Sequence, residues 1–198
     1  MIYVRGADSA IAQALAEIHP ISPVARGDKM PDGERYLFCV GLIRQKRITE
    51  QTEQEIAETF MVNAVNVIRE CDRLIETNPQ ARICVVGSDS GFKWSFDGAY
   101  AASKAALHRY VETKRLKSPE QQLVCVAPSC IAKTAMHGQR NSDGVAALAK
   151  RKLLHPKRRW LEPIEVARMI HFLLCVDDGY TTGVVIRMNG GEHCGDRW

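Results

Sequence analysis

No apolar run in the 198 residues approaches the roughly 18 that a membrane-crossing helix needs, so no membrane role is expected. The opening MIYVRGADSA holds no apolar stretch of signal-peptide length after its charged residue, and a cytoplasmic location is the expectation. A large excess of either charge is also missing. The net charge of +4 is mild, and no pattern of stacking aromatics accompanies the basic residues, which argues against a nucleic-acid partner. The seven cysteines are an odd number without a CxxC pair, so a disulfide framework is not expected. Cys39, Cys84 and Cys125 instead sit in apolar runs, as small buried hydrophobes do. His193 and Cys194 are too isolated to suggest a metal site. Repeats, low-complexity tracts and linkers are absent.

What is present is an alternation of strand-like and helix-like segments. Apolar content of 45% and charged content of 25% are ordinary for a globular chain. Strands are read at Ile2–Val4, Ile21–Ala25, Tyr36–Leu42, Ile83–Val86, Leu123–Ala127 and Val184–Met188. Helices are read at Ala10–Ile18, Thr52–Glu76, Ala99–Leu116 and Pro163–Leu174, with a loop and helix across Ser142–Leu154 and a turn-rich segment at Gly27–Glu34. Continuous apolar strands separated by helices indicate a parallel sheet covered on both faces. The expectation is one α/β domain over residues 1–198, a Rossmann-like, doubly wound parallel sheet.

Two segments carry chemistry. The first strand-to-helix turn reads Gly6-Ala7-Asp8-Ser9-Ala10-Ile11-Ala12, at the position where such sheets bind a pyrophosphate through backbone N–H groups. One glycine remains in it, which by itself is weak. The second segment starts at Ser88, just after the apolar ICVVG, at the carboxyl end where open α/β sheets bind ligands. Tyr100 and Lys104 follow at the start of a helix, spaced i and i+4 on one face. A phenol titrates near ~10, too high for an efficient base at neutral pH, and a neighbouring ammonium favours its phenolate. Ser88 can donate to a substrate oxygen as charge develops on it. A bare Tyr-xxx-Lys pair is common by chance, so its surroundings decide its meaning.

Those surroundings resemble the short-chain dehydrogenase/reductases. The stretch VVGSDSGFKWSFDGAYAASKAAL is similar to that family's active-site segment, with Ser88, Tyr100 and Lys104 on its serine, tyrosine and lysine. Asn63 in TFMVNAV falls on the asparagine that completes the tetrad through a water relay. VAPSCIAKT resembles the nicotinamide-holding segment, with Ser129 where glycine is usual and Pro128, Ile131 and Thr134 implied as cofactor contacts. Arg158–Gly191 resembles the C-terminal helix, last strand and Asp-Gly-Gly end, with Asn189 replacing the aspartate. The resemblance implies hydride transfer between a nicotinamide cofactor and a small carbonyl or alcohol, with Tyr100 as acid/base. It also implies cofactor contacts from Gly6, Ser9, Ile11 and Gly41, and from Tyr100 and Lys104 themselves. A homodimer or homotetramer built on Thr52–Glu76 and Ala99–Leu116 is implied as well.

The chain departs from the family in three places. Alanines replace the later glycines of the turn. Phe38-Cys39-Val40-Gly41 stands where the family has Asn-Asn-Ala-Gly. The second helix, third strand and third helix have no room, which reduces the adenosine-binding side. Arg26 falls near the cofactor discriminator and suits a 2′-phosphate, with Lys29 adding charge, so NADP(H) is favoured slightly over NAD(H); Asp28 could serve a ribose diol instead. The basic cluster Lys150, Arg151, Lys152, Lys157, Arg158 and Arg159 reads as a solvated face before it reads as a substrate lid. Trp94 and Phe96 either line the pocket or pack, and Cys130 reads as packing. Two other functions stay open: a cofactor-sensing or partner-binding pseudo-enzyme, and an epimerase or dehydratase using the same site.

Overall fold

The structure, a computed structural model, describes residues 1–44, 46–93, 95–132, 134 and 145–192. Six strands form one parallel sheet: β1 (Ile2–Arg5), β2 (Ile21–Val24), β3 (Arg35–Phe38), β4 (Arg82–Val86), β5 (Gln122–Pro128) and β6 (Val184–Met188). Their spatial order is β2-β1-β3-β4-β5-β6. The chain therefore steps outward from β1 to β2 and returns past β1 to β3. That reversal is the switch point of a doubly wound sheet, where a cleft opens above the carboxyl ends of β1 and β3.

Side-chain alternation along the strands builds two cores. On one face Ile2, Val4, Leu37, Cys84, Val86, Val124 and Val126 meet α1 (Ala10–Ala16). The helix Pro163–His171, here called α6, packs beside α1 on the same face. On the other face Tyr36, Phe38, Ile83, Val85, Leu123 and Cys125 meet the long helices. The first of these is α2 (Glu53–Phe60), which continues through a π-helical turn at Met61–Val65 into α3 (Asn66–Thr77). The second is α4 (Gly98–Thr113). A further helix, α5 (Val145–Leu154), precedes α6. Every residue of β5 is buried, as expected of a strand covered on both faces. Among the described residues no helix is long and apolar enough to cross a membrane.

The shortening expected from the sequence is visible. Residues 25–34 contain neither helix nor strand, and β2 is the margin of the sheet. Pro23, in register with Val4, is tolerated because β2 has only one neighbour. The face of β1 that the missing elements leave bare is covered by the connecting segment itself. Met30, 2% exposed, enters the second core, and Gly33 lies against the Tyr3 ring. Helix α3 holds this segment: Glu70 accepts from Met30 N at 2.7 Å and Arg73 donates to Met30 O at 2.9 Å.

Most element ends differ from the sequence reading by a residue or two, and three fall short by three or more, α4 among them, which stops at Thr113 rather than Leu116. The expected strand Tyr36–Leu42 ends at Phe38. Beyond it Val40 gives its carbonyl to Lys104, and Leu42 pairs both backbone groups with the Asn63 side chain, so neither continues the ladder. The expected helix Pro163–Leu174 ends as an α-helix at His171 and finishes in a π-helical turn, Phe172–Val176.

Candidate active site

The site forms where four chain segments reach the carboxyl edge of the sheet. A cleft of about 2500 Å³ runs from the β1–α1 turn, past β3 and β4, to the segment after β5. Gly6, Ser9, Ile11, Arg26, Gly41, Ser88, Tyr100, Lys104, Pro128, Ile131 and Thr134 all line it, so eleven of the twelve residues singled out from the sequence converge.

The exception is Asn63. It is fully buried, and its side chain does not line the cleft. Its Oδ1 accepts from Leu42 N at 2.6 Å, and its Nδ2 donates to Leu42 O at 2.8 Å and to Ser103 Oγ at 3.0 Å. These bonds fix the loop after β3 against α4.

Helix α4 starts where it does because of Asp97, a residue the sequence reading overlooked. Its carboxylate caps the helix by accepting from Tyr100 N at 3.0 Å. The same carboxylate, on a residue 1% exposed, also accepts from Gln51 Nε2 at 2.9 Å and Arg44 N at 2.7 Å. An aspartate three residues before the tyrosine was the available signal. Asp97→Ala strands the backbone donors of Tyr100 and Arg44, while Gln51 Nε2 keeps its bond to Lys46 O. An unfolding free energy lower by about 2–3 kcal/mol is expected in urea titration, since each buried orphan costs about 1–3 kcal/mol.

From that start, α4 presents one face to the cleft floor. Lys104 is 2% exposed and donates to Val86 O at 2.8 Å and Val40 O at 3.1 Å. Its Nζ lies 5.9 Å from the centre of the Tyr100 ring. Burial pulls its pKa down to about 8. Two carbonyls use two of the three ammonium protons, leaving one for the cleft.

One turn further, His108 supports the serine. Its Nε2 accepts from Ser88 N at 3.3 Å, and its ring leans on Phe92 with centroids 4.6 Å apart. A Cβ at Gly87 or Gly91 would meet this ring at 2.4 or 2.5 Å, so both glycines make room for it. Burial first, then Lys104 and Arg187, push the His108 pKa down to about 4, and the ring is neutral at physiological pH. Its spacing of four from Lys104 was visible in the sequence, but its task was not.

The turn after Ser88 is anchored across the sheet. Asp89, 1% exposed, accepts from Arg187 Nη2 at 2.9 Å and Asn189 Nδ2 at 3.1 Å, and Lys93 approaches at 2.7 Å. Burial alone would raise the Asp89 pKa, but the bonds from Lys93, Arg187 and Asn189 hold it below the usual carboxylate range. This explains the departure at Asn189. An aspartate there would face Asp89 with a like charge, whereas the amide donates to it.

The nucleotide end of the cleft fits a dinucleotide in part. Gly6 has φ +86°, and a Cβ there would lie 2.2 Å from Cys39 O, so only glycine lets β1 and the loop after β3 approach this closely. Ala10 and Ile11, whose N–H groups open the helix, line the cleft as a pyrophosphate site requires. The two glycine replacements differ in effect. Ala12 is fully buried in the first core, while Ala10 adds its methyl to the cleft wall. Ser9 caps the helix through Ala12 N at 3.2 Å and turns its hydroxyl to Cys39 Sγ at 3.0 Å. Arg26, Asp28 and Lys29 line the far end, and Arg69 of α3 joins them there.

Around the opposite end the sequence reading needs adjusting. Cys130, read as packing, lines the cleft, as does Phe96. Leu154, His155 and Trp160 also line it, whereas Lys150, Lys152, Lys157, Arg158 and Arg159 are exposed and lie outside its walls. Arg159 pairs with Glu165 at 2.6 Å. Trp94, His193, Cys194 and the side chain of Arg151 lie outside the described residues, as does 142–144 of the expected loop. The described cysteines are free thiols.

Known proteins share this architecture. A solved short-chain dehydrogenase/reductase family oxidoreductase from Burkholderia thailandensis superposes with a TM-score of 0.83 at 18% identity, covering 99% of this chain and 93% of that one. The vibriobactin-specific 2,3-dihydro-2,3-dihydroxybenzoate dehydrogenase of Vibrio cholerae is 28% identical over 172 residues, which is 80% of this chain and 65% of the relative. The acetoacetyl-CoA reductase of Allochromatium vinosum is 29% identical over 162 residues, which is 77% of this chain and 63% of the relative. The chain thus spans less than two thirds of the length of these relatives. The family model described as Enoyl-(Acyl carrier protein) reductase matches residues 36–193. That match takes in the whole serine, tyrosine and lysine segment, and by it the chain belongs to the short-chain dehydrogenase/reductase family.

Proposed function

We propose that this protein interconverts a carbonyl and an alcohol with a nicotinamide cofactor. The observation that carries the reading is Lys104, buried between two backbone carbonyls beside Tyr100 and open to the same cleft as Ser88. A binding module has no need to bury an ammonium there, since a buried charge is costly unless it is used. Bound in the cleft, the cofactor supplies or accepts the hydride.

The chain's own residues handle the proton and the charge. In reduction the Tyr100 phenol gives its proton to the oxygen formed from the carbonyl; in oxidation its phenolate takes that proton back. The Lys104 ammonium stabilises the phenolate, and its remaining proton can bond the nicotinamide ribose. Ser88 Oγ donates to the substrate oxygen and stabilises its developing charge. His108 and Asp97 act through the residues they hold, keeping Ser88 and Tyr100 in place. Asn63 does the same for the loop at Leu42. Pro128, Ile131 and Thr134 would hold the nicotinamide end, and Gly6, Ser9, Ile11 and Gly41 the middle of the cofactor.

NADP(H) is favoured over NAD(H). Arg26, Lys29 and Arg69 bring three cations to the adenosine end of the cleft, which suits a 2′-phosphate. Removing two of them by Arg26→Ala and Lys29→Ala is expected to weaken NADPH binding roughly tenfold or more and to leave NADH binding little changed, because each charge-assisted bond contributes about 1.5–3 kcal/mol. Calorimetric titration with both cofactors reads this directly. Wild-type protein that binds NADPH but oxidises none of it across a broad carbonyl panel would sink the oxidoreductase reading. Assembly as a homo-oligomer through α2–α3 and α4 is part of the same proposal, and light scattering at micromolar concentration tests it.

A further inference from the structure

At the opposite edge of the sheet from the cleft, two histidines and a cysteine meet from two chain segments. His19 lies in the turn between α1 and β2, His171 is the last residue of α6, and Cys175 sits in the π-helical turn beyond it. One ligand atom from each lies within 4.8 Å of the other two, and all three side chains are half-buried. Cys175 Sγ is 3.9 Å from His19 Nε2, and the two imidazole rings are 5.2 Å apart between centroids. In a tetrahedral zinc site, with Zn–N of about 2.0–2.1 Å and Zn–S of about 2.3 Å, donors of these types stand roughly 3.3–3.6 Å from one another. Small rotations about the side-chain bonds close that difference.

We propose that His19, His171 and Cys175 bind one zinc ion, with water at the fourth position. The donors are two imidazoles and one thiol with no carboxylate among them, a set that suits Zn²⁺ and disfavours Mg²⁺ or Ca²⁺. The cations nearby are the Arg35 guanidinium, which donates to Leu174 O at 2.9 Å, the Arg82 guanidinium, which donates to Leu173 O at 3.1 Å, and the chain's amino terminus. All three repel a bare divalent ion, but all three also favour the thiolate that binding requires. Burial raises the Cys175 thiol pKa, and Arg35 and the amino terminus pull it back. Burial, helped by the amino terminus, His171 and Arg35, lowers the His19 pKa. The ion would tie the α1–β2 turn to the end of α6, two segments that otherwise meet through the packing of α1 on α6.

The test uses the untagged full chain, stripped with a chelator and titrated with Zn²⁺ by calorimetry and with Co²⁺ by absorption. One equivalent should bind, the thermal midpoint should rise by several degrees, and Co²⁺ should show four-coordinate d–d bands with a thiolate charge-transfer band. Cys175→Ser should abolish the charge-transfer band, and His171→Gln should weaken binding at least tenfold, while both keep the metal-free midpoint of the parent. A His193→Ala, Cys194→Ser double variant should bind as the parent does. Absence of one-equivalent binding overturns the proposal, as does a charge-transfer band that survives Cys175→Ser or disappears in the double variant.

Discussion

Tyr100→Phe is expected to lower kcat by about 10³-fold while leaving cofactor affinity within a factor of about two, since loss of a positioned acid/base group typically costs 10²–10⁴ in rate. The phenol is the proposed proton donor, and the phenylalanine ring keeps the bulk of a side chain that is only 6% exposed. Thermal stability should stay close to that of the parent, because Tyr100 lines the cleft and the aromatic ring is retained. Steady-state turnover and calorimetric titration on the same preparation separate the two effects. Retention of more than a tenth of the parent's kcat would assign the proton to another group, and Ser88 would be the next to replace.

The second large effect concerns Lys104, and it appears in stability as well as in rate. Burial lowers its pKa from 10.5 to about 8 in the fold. The unfolded chain therefore binds this proton more tightly than the native one, and stability rises with pH wherever that difference is expressed. The cost of the buried charge is present in full below pH 8 and fades as pH rises from about 8 to 10.5. Over that window the relief amounts to about 3 kcal/mol, at roughly 1.4 kcal/mol per unit. Lys104→Met removes the titrating group, so urea denaturation of the cofactor-free proteins should show the parent gaining on the variant as pH rises through this window. Parallel curves would mean that the lysine titrates near its ordinary value in the fold. Turnover in Lys104→Met should fall by at least about 10²-fold, because the phenolate loses its cation and the ribose its donor.

The parts of this protein legible in its sequence are those written locally. Continuous apolar strands placed the sheet, the family resemblance around Ser88, Tyr100 and Lys104 placed the centre of the cleft, and measured against that family the short stretch between Ile21 and Tyr36 exposed the missing elements. What escaped was decided by residues distant in the chain. The bonds between Asn63 and the Leu42 backbone, brought across by the end of β3, are not visible beside the relay role that the family resemblance implies for this residue. Strand character extended to Leu42 because the apolar run continues, yet Lys104 claims the Val40 carbonyl. Met30 reads as part of a polar turn and becomes core only because Glu70 and Arg73 draw the segment onto α3. His19, His171 and Cys175 are unremarkable in sequence, since 152 positions separate the first from the second; only the packing of α1 on α6 makes them neighbours.

The margin of the shortened sheet has a consequence for the fate of the protein at high concentration. A strand with one neighbour carries a row of unpaired amides and carbonyls that can recruit strands from other chains. Pro23 lies in the middle of β2 and has no amide hydrogen to offer, and at four residues the strand is short. An incoming strand thus meets an interrupted template, and the reduced sheet resists growth into aggregates by the same residue that its single-sided pairing allows.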